Sequence, residues 1–483
     1  MIQPRNWARK FLFPLALALL LTMSVKQSAS NGYAKEMLAS QEVYYVSPSG
    51  DDSNLGTAAY PWRTIQKAAD TLMAGDIVYI RAGDYHERVT PQNSGSADNY
   101  ITYAAYPGET AAINGSGVAS PDDLAGLFEI SNKNYIRVAG LRVINAGPFN
   151  NNAGILVLNS GYITVENNAT YNTASSGIGV WGSHNVIVDG NRIDEAGGGG
   201  WQECISVAGT DTFEVRNNEV LNCHKEGICI KDGSSNGQVN RNHVHHTQKV
   251  GIYVDAWDKH TYNIAVFQNV VHDIQDGDGF ALASEMGGLL ENIRVYNNLA
   301  YHNRYIGLSI SINGPGDTQG RHPMKDINVF NNTFYNNGWE TWGGGIALDN
   351  ADAQNVVIRN NIVSQNLYFQ IAVTPGVPAQ NYLIDHNLID GYRDHGDEGE
   401  TRGDAYIEGD PQFFNAPGAN FYLQVNSPAM DVGSALDAPD TDYDGRPRPL
   451  DGDNDGVAFH DMGAYEMPFF SGHLYLPVIH QGY

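Results

Sequence analysis

The sequence predicts an all-β fold, a right-handed parallel β-helix, and two recurring patterns carry that expectation. The first is an asparagine at Asn168, Asn191, Asn218, Asn242, Asn269, Asn298, Asn332, Asn361 and Asn387, set in segments such as VENNAT, VRNNEV and VIRNNIV. Successive members stand about 23 to 34 residues apart, the range of structural repeats. The second is a short strand pattern that follows these asparagines: GIGVWG, CISVAG, GICIKD, GIYVDA, GFALAS, GLSISI and GGIALD. Each unit holds two or three short strands and cannot bury its apolar face alone, whereas stacked units share one continuous core. Equivalent residues then stack about 4.8 Å apart. An asparagine amide has the donors and acceptor to bond the rungs on either side, and asparagine tolerates the left-handed conformation of sharp corners. The ladder therefore reports fold, not chemistry.

The elements follow in order. Arg5, Arg9 and Lys10 precede an apolar run from Phe11 to Met23, and QSASNG offers small residues near Ala29 and Ser30. This predicts a signal peptide over residues 1–30, a mature start near Asn31, and a secreted or cell-surface protein. The run is short for a membrane span. After a variable lead (31–42), residues 43–115 are expected to form an N-terminal cap and the first rungs. Val43–Val46 and Ile77–Arg81 read as strands. Pro61–Met73 reads as a helix, with Trp62, Ile65, Ala68, Ala69 and Leu72 on one face and Gly75 as its stop. Such a helix would close the open end of the solenoid. Residues 116–395 are the repeats, and 396–483 the last rungs and a C-terminal cap.

The chain carries 54 acidic and 28 basic residues, a net charge of −26. Nucleic acid and anionic membranes are poor partners for that surface, and a polyanionic substrate would need a local cation. A solenoid closed at both ends is expected to be a monomer. The three cysteines, Cys204, Cys223 and Cys229, cannot all pair. Cys204 and Cys229 fall on adjacent rungs two positions out of register, roughly 8 Å apart by strand geometry and too far for a relaxed disulfide. Free or partly buried thiols are expected.

Aligning the strand patterns places one residue per rung in each outward column. One column reads Gly179, Ser206, Cys229, Tyr253, Ala281, Ser309, Ala347; the next reads Trp181, Ala208, Lys231, Asp255, Ala283, Ser311, Asp349; a third reads Gly233, Trp257, Glu285, Asn313. Glu203, Glu226 and Asp278 precede their strands. Lys231, Asp255, Tyr253, Trp257 and Glu285 should gather on one face across three rungs, walled by long insertions. Tryptophan and tyrosine there, with Trp181 nearby, suit stacking on sugar rings. Carboxylates with one lysine suit acid–base work. The plain structural alternative is an exposed Lys231–Asp255 ion pair of little energetic weight, with Glu203 and Glu226 satisfying turn amides.

Two segments resemble known families. Tyr45-Val46-Ser47-Pro48-Ser49-Gly50, Gly56-Thr57, Pro61-Trp62-Arg63-Thr64-Ile65-Gln66-Lys67-Ala68 and Gly75-Asp76 resemble the N-terminus of secreted bacterial β-helix proteins, including family 9 pectate lyases. Glu226-Gly227-Ile228-Cys229-Ile230-Lys231 has the family's glycine-to-lysine spacing, so the resemblance implies Lys231 as a catalytic base. Those lyases also hold Ca²⁺ on aspartates one rung earlier, where this chain has GGGGWQECISV with only Glu203. Ser427-Pro428-Ala429, Asp444-Gly445, Arg448 and Asp461-Met462-Gly463-Ala464-Tyr465-Glu466 resemble the C-terminal segment of cell-surface β-helix proteins, where it caps the solenoid. Within that segment Asp440, Asp442, Asp444 and Asp451 match a calcium-loop spacing, with Asp where an EF-hand has Glu, and would hold a structural Ca²⁺.

The leading functional expectation is a polysaccharide lyase acting on a uronate-containing glycan. Lys231 would take the proton, and Arg304 or Arg321, or a cation, would meet the substrate carboxylate. The alternatives are a glycoside hydrolase with two carboxyls among Asp255, Glu285, Glu226 and Glu203, or a non-catalytic glycan-binding or adhesive protein.

Overall fold

The computed structural model describes residues 41–312, 321–339 and 342–468. The predicted signal peptide and most of the lead lie outside the described residues. No helix among them is long and apolar enough to cross a membrane.

Three parallel sheets run the length of the solenoid, with thirteen, thirteen and ten described strands. The first sheet extends from Val43–Val46 to Tyr382–Asp385, the second from Gly83–Tyr85 to Ile407–Glu408, and the third from Ala125–Ser131 to Phe369–Val373. Sequence neighbours lie in different sheets, and each strand pairs with the equivalent strand of the next rung, as Ile205–Ala208 does with Ile228–Lys231. Alternate residues of every strand point inward, and Val, Ile, Leu and Phe from all three sheets make one continuous core.

The asparagine ladder forms as expected. From Asn168 to Asn387 the residues are buried; from Asn168 to Asn361 each amide bonds the ladder asparagine of the next rung, and Asn387 bonds back to Ile358 O. Asn191 Nδ2 donates to Val165 O (2.9 Å) and to Asn218 Oδ1 (3.0 Å), and Asn218 Oδ1 also accepts from Asn191 N (2.9 Å). The left-handed conformation belongs to the residue before each ladder member, for instance Asn167, Asn217, Asn297 and Asn331. A shorter ladder of Asn303, Asn337, Asn366 and Gln370 lines another corner.

The N-terminal helix is shorter than its apolar face suggests, Ile65–Thr71. Trp62 N–H donates to Tyr45 O, so the chain is still extended there, and the Thr64 hydroxyl caps the helix by accepting from Lys67 N. All five expected apolar residues are buried.

The cysteines depart from expectation. Cys204 and Cys223 form a disulfide with Cα atoms 5.9 Å apart, and Cys229 alone is a buried thiol. The pairing that matters is across a corner. A residue just before or near the start of a third-sheet strand faces a corner residue, as Gly154 faces Thr173 and Gly227 faces Thr247. Cys204 and Cys223 occupy that same pair of positions, which strand register alone does not bring together.

The C-terminal segment turns back along the flank after Ile407–Glu408 joins the end of the second sheet. Phe413, Phe421, Met462 and Tyr465 pack with Leu299, Ile362 and Leu388 of that sheet. Arg448 anchors the segment: its guanidinium, buried with Glu466, donates to that carboxylate (2.5 Å) and to Gly463 O (2.8 Å).

Candidate active groove

The outer face of the third sheet carries the chemistry-bearing columns in the expected register: Ala208 pairs with Lys231, Cys229 with Tyr253, and Asp255 with Ala283. The partners of Lys231 differ from expectation. Its ammonium does not pair with Asp255. It donates to Glu203 Oε1 (2.8 Å) and Oε2 (2.9 Å) and to Gln202 Oε1 (3.1 Å). Glu203 stands one residue before Cys204, at the corner, so its side chain rises over the adjacent rung. It also accepts from Ser206 Oγ, which lies 2.9 Å from Ser176 Oγ. The side chains of Glu203 and Lys231 are only 5% and 16% exposed, so this is a buried ion pair rather than the exposed pair expected. Burial pushes the Glu203 carboxyl up, but the Lys231 ammonium outweighs it and leaves the carboxyl below its usual range. Burial pulls Lys231 down, and the Glu203 charge more than reverses that, so the lysine is held protonated. A lysine in this state is a poor base.

The next rungs hold carboxyls shifted the other way. Asp255 is 2% exposed. Burial, opposed by an amide hydrogen bond from Trp257 and reinforced by the nearby Glu285 charge, pushes it up to about 7. Its Oδ1 accepts from Glu285 N (3.2 Å). Glu285 is more accessible and is raised by burial; its Oε1 accepts from the Tyr253 hydroxyl. Glu226 is raised by burial and then by the Glu203 charge; Lys225 lies 3.5 Å from its Oε2. Trp257, 38% exposed, holds a left-handed backbone and accepts Gly288 N at its carbonyl.

Further along the groove, Asp278 accepts from Ser309 Oγ (2.6 Å) and Ile306 N (3.2 Å), and burial pushes it up to about 6. It borders a cavity of about 380 Å³ that is also lined by Tyr305, Ser311, Trp342 and Asp349.

The other expected binding residues are spread along this face. Trp181 folds its ring over Gly179, whose missing side chain makes the space. Arg304 stacks on Tyr305 and Trp339 and lies 3.9 Å from Asp276, beside the cavity rather than the Lys231 rung. Arg321 is exposed, and its neighbour His322 bonds Ser284 O through Nδ1 (2.7 Å). Asn313 lies outside the described residues. Gln202 and Lys225 were not legible as site residues, because both sit on corners outside the strand pattern.

The calcium expectations do not fit. One rung before Lys231, Glu203 is committed to Lys231 and Ser206. In the C-terminal segment Asp442 is turned inward and accepts from Arg446 N and Glu466 N, while Asp444 faces Tyr422 and Arg446. Asp440, Asp442, Asp444 and Asp451 do not converge. Asp451 gathers instead with Asp431 and Asp453.

Comparison with known proteins agrees with this architecture. The family described as "Pel9A-like, right handed beta helix region" matches residues 44–197, and "Right handed beta helix region" matches residues 125–300. Uncharacterized protein YwoF of Bacillus subtilis (strain 168) is 27% identical over 482 residues, covering 88% of this chain and 99% of that protein. Pectate lyase PEL9 of Emericella nidulans is 31% identical over 157 residues, 30% of this chain and 37% of that enzyme. The crystal structure of pectate lyase Pel9A superposes with a TM-score of 0.53 at 16% identity, covering 88% of this chain and 96% of that one, a likeness of fold. The chain is a right-handed parallel β-helix protein that is similar, over residues 44–197, to the Pel9A-like family.

Proposed function

We propose that this protein is a secreted carbohydrate-active enzyme that cleaves a polysaccharide laid along the third-sheet groove. The observation that carries the reading is the gathering of Lys231, Glu203, Glu226, Tyr253, Asp255 and Glu285 on adjacent rungs, beside the exposed Trp257. Such a row can stack sugar rings on one wall and exchange protons at the floor.

Cleavage by β-elimination on a uronate-containing glycan is the first reading, supported by the similarity to pectate lyase PEL9 and by the glycine-to-lysine spacing at Gly227 and Lys231. The ion pairing of Lys231 supports a different division of roles. Lys231, held protonated, supplies positive charge toward the substrate carboxylate together with Lys225. Glu285 is the accessible group that takes the proton at C5, and Tyr253 and Asp255 position it. Glu285 suits that task because burial moves its carboxyl toward working pH, where a base is most effective. No step is routed through calcium.

One observation favours hydrolysis as a second reading. Asp255 and Glu285 are adjacent and both raised by burial, so one can carry a proton while the other is ionised, the division of labour of a glycosidase pair.

The test is a panel of neutral and uronate polysaccharides incubated with purified protein. Ultraviolet-absorbing unsaturated ends support elimination. New reducing ends without that absorbance support hydrolysis. Binding to a glycan with neither product would overturn the enzymatic reading.

A further inference from the structure

The outer face of the second sheet carries a cluster that the groove chemistry does not use. Strands Glu219–Leu221, His243–His245 and Val270–His272 are successive rungs in register: Glu219 pairs with His243, and His245 with His272. One donor atom from each of Glu219, His243 and His245 lies within 4.8 Å of the other two. His272 stands beside His243, its Nε2 2.7 Å from His243 Nε2.

The outer contacts aim these donors. His272 Nδ1 lies 2.6 Å from Asp273 Oδ2, which fixes that proton on Nδ1 and leaves the Nε2 lone pair facing inward. His245 Nδ1 lies 2.8 Å from His246 Nδ1, so its Nε2 also faces the cluster. That Nε2 is buried and has no hydrogen-bond partner; its nearest charged neighbour is Glu219 Oε1 at 3.6 Å. Glu219 is steadied through its other oxygen by Arg192. Tyr301 stacks on His272 with centroids 4.8 Å apart, and Phe421 of the C-terminal segment lies against Tyr301, so the cluster sits where that covering segment ends.

We propose that Glu219, His243, His245 and His272 form a binding site for a borderline-soft divalent cation of the zinc class, linking three rungs of the solenoid on the face away from the groove. Imidazole nitrogens with one carboxylate are the donors such ions choose, whereas calcium takes oxygen alone. Metal–nitrogen bonds of about 2.0–2.1 Å in a tetrahedron place ligand nitrogens roughly 3.3 Å apart. The His243–His272 contact therefore has to open by about half an ångström, a small change for two side chains on the solvent face. The carboxylate–histidine contact at Asp273 is the kind that orients a metal-bound imidazole.

The test uses the full chain without a histidine tag, stripped with chelator and titrated with ZnCl₂ and, separately, with CaCl₂. Zinc should bind at one equivalent and calcium should give no signal at this site. With one equivalent of Cu²⁺ as a spectroscopic substitute, electron paramagnetic resonance should show coupling to several imidazole nitrogens. The double variant His243→Gln/His245→Gln should lose the zinc signal. Asp273→Asn, which leaves all four donors in place, should weaken it about 10–100-fold. Asp453→Asn, in the separate acidic group, should leave zinc binding unchanged. Absence of zinc binding by the wild-type chain, a copper spectrum without nitrogen coupling, or unchanged affinity in the double variant would each overturn the proposal. The copper spectrum of the wild-type chain decides the matter even if the double variant does not fold.

Discussion

Two acid-rich regions of this molecule contain displaced carboxyls, and they differ in what surrounds them. In the C-terminal segment, Asp461, Asp442 and Glu466 are all raised, by burial first. Each is nonetheless saturated. Asp442 takes two backbone amides, Asp461 those of Asp431 and Met467, and Glu466 those of Leu450 and Asp461 together with Arg448. In the groove, Glu226 Oε2 is buried without a hydrogen bond, 3.5 Å from Lys225, and the partly exposed Glu285 is held by a single hydroxyl. A raised carboxyl alone does not mark a site. A raised carboxyl with spare bonding capacity at an accessible groove does, because only that group can exchange a proton with something that arrives.

Arg448 carries the largest expected effect. If the C-terminal acids are structural, Arg448→Met leaves Glu466 buried and unpaired, and should cost about 3–5 kcal/mol, read as a large fall in Tm or loss of folded protein. A variant melting like wild type would show that the segment is not held by this pair.

Lys231→Met applies the same logic inside the groove. It strands the Glu203 carboxylate, so a cost approaching 3 kcal/mol is expected from the buried-pair argument, about tenfold more than for an exposed pair. Unchanged stability in denaturant titration would show that the Lys231–Glu203 pair carries no more energy than an exposed one.

Glu285→Gln separates chemistry from structure. Turnover on any accepted polysaccharide should fall by at least about 10²-fold, with Tm nearly unchanged because Glu285 is partly exposed. Activity within a few-fold of wild type would move the search to the Asp278–Trp342 cavity.

Asp255→Asn is expected to shift stability modestly, and its sign is the informative part. A carboxyl raised to about 7 favours the folded state while it is protonated. Relative to an unfolded value near 4, that contribution is full in acid and is lost as pH rises through 7. Asparagine, never charged, escapes the loss. The variant should therefore be more stable than wild type at pH 8, by on the order of 1–2 kcal/mol, with the gain vanishing near pH 4. A variant less stable than wild type at pH 8 would mean that the Asp255 carboxylate is satisfied after all.

Much of this was legible in the letters. The ladder from Asn168 to Asn387 was readable because each amide bonds its own equivalent one rung away, which demands the same residue at the same place. Columns such as Cys229–Tyr253 were readable because strand period and rung register are regular. What stayed hidden lies at corners and between columns. Glu203 reaches Lys231 from a corner, Cys204 meets Cys223 across one, and His243 meets His272 diagonally between rungs.

The parallel β-helix, its core and its outward columns follow from local period, because inward–outward alternation and stacking repeat with it. Tertiary structure alone decided which charges are paired. Whether Lys231 is a base or one half of a buried ion pair depends on the rotamer and burial of Glu203, about 28 residues earlier, and a pKa responds to the few ångströms around a group, not to its place in the chain.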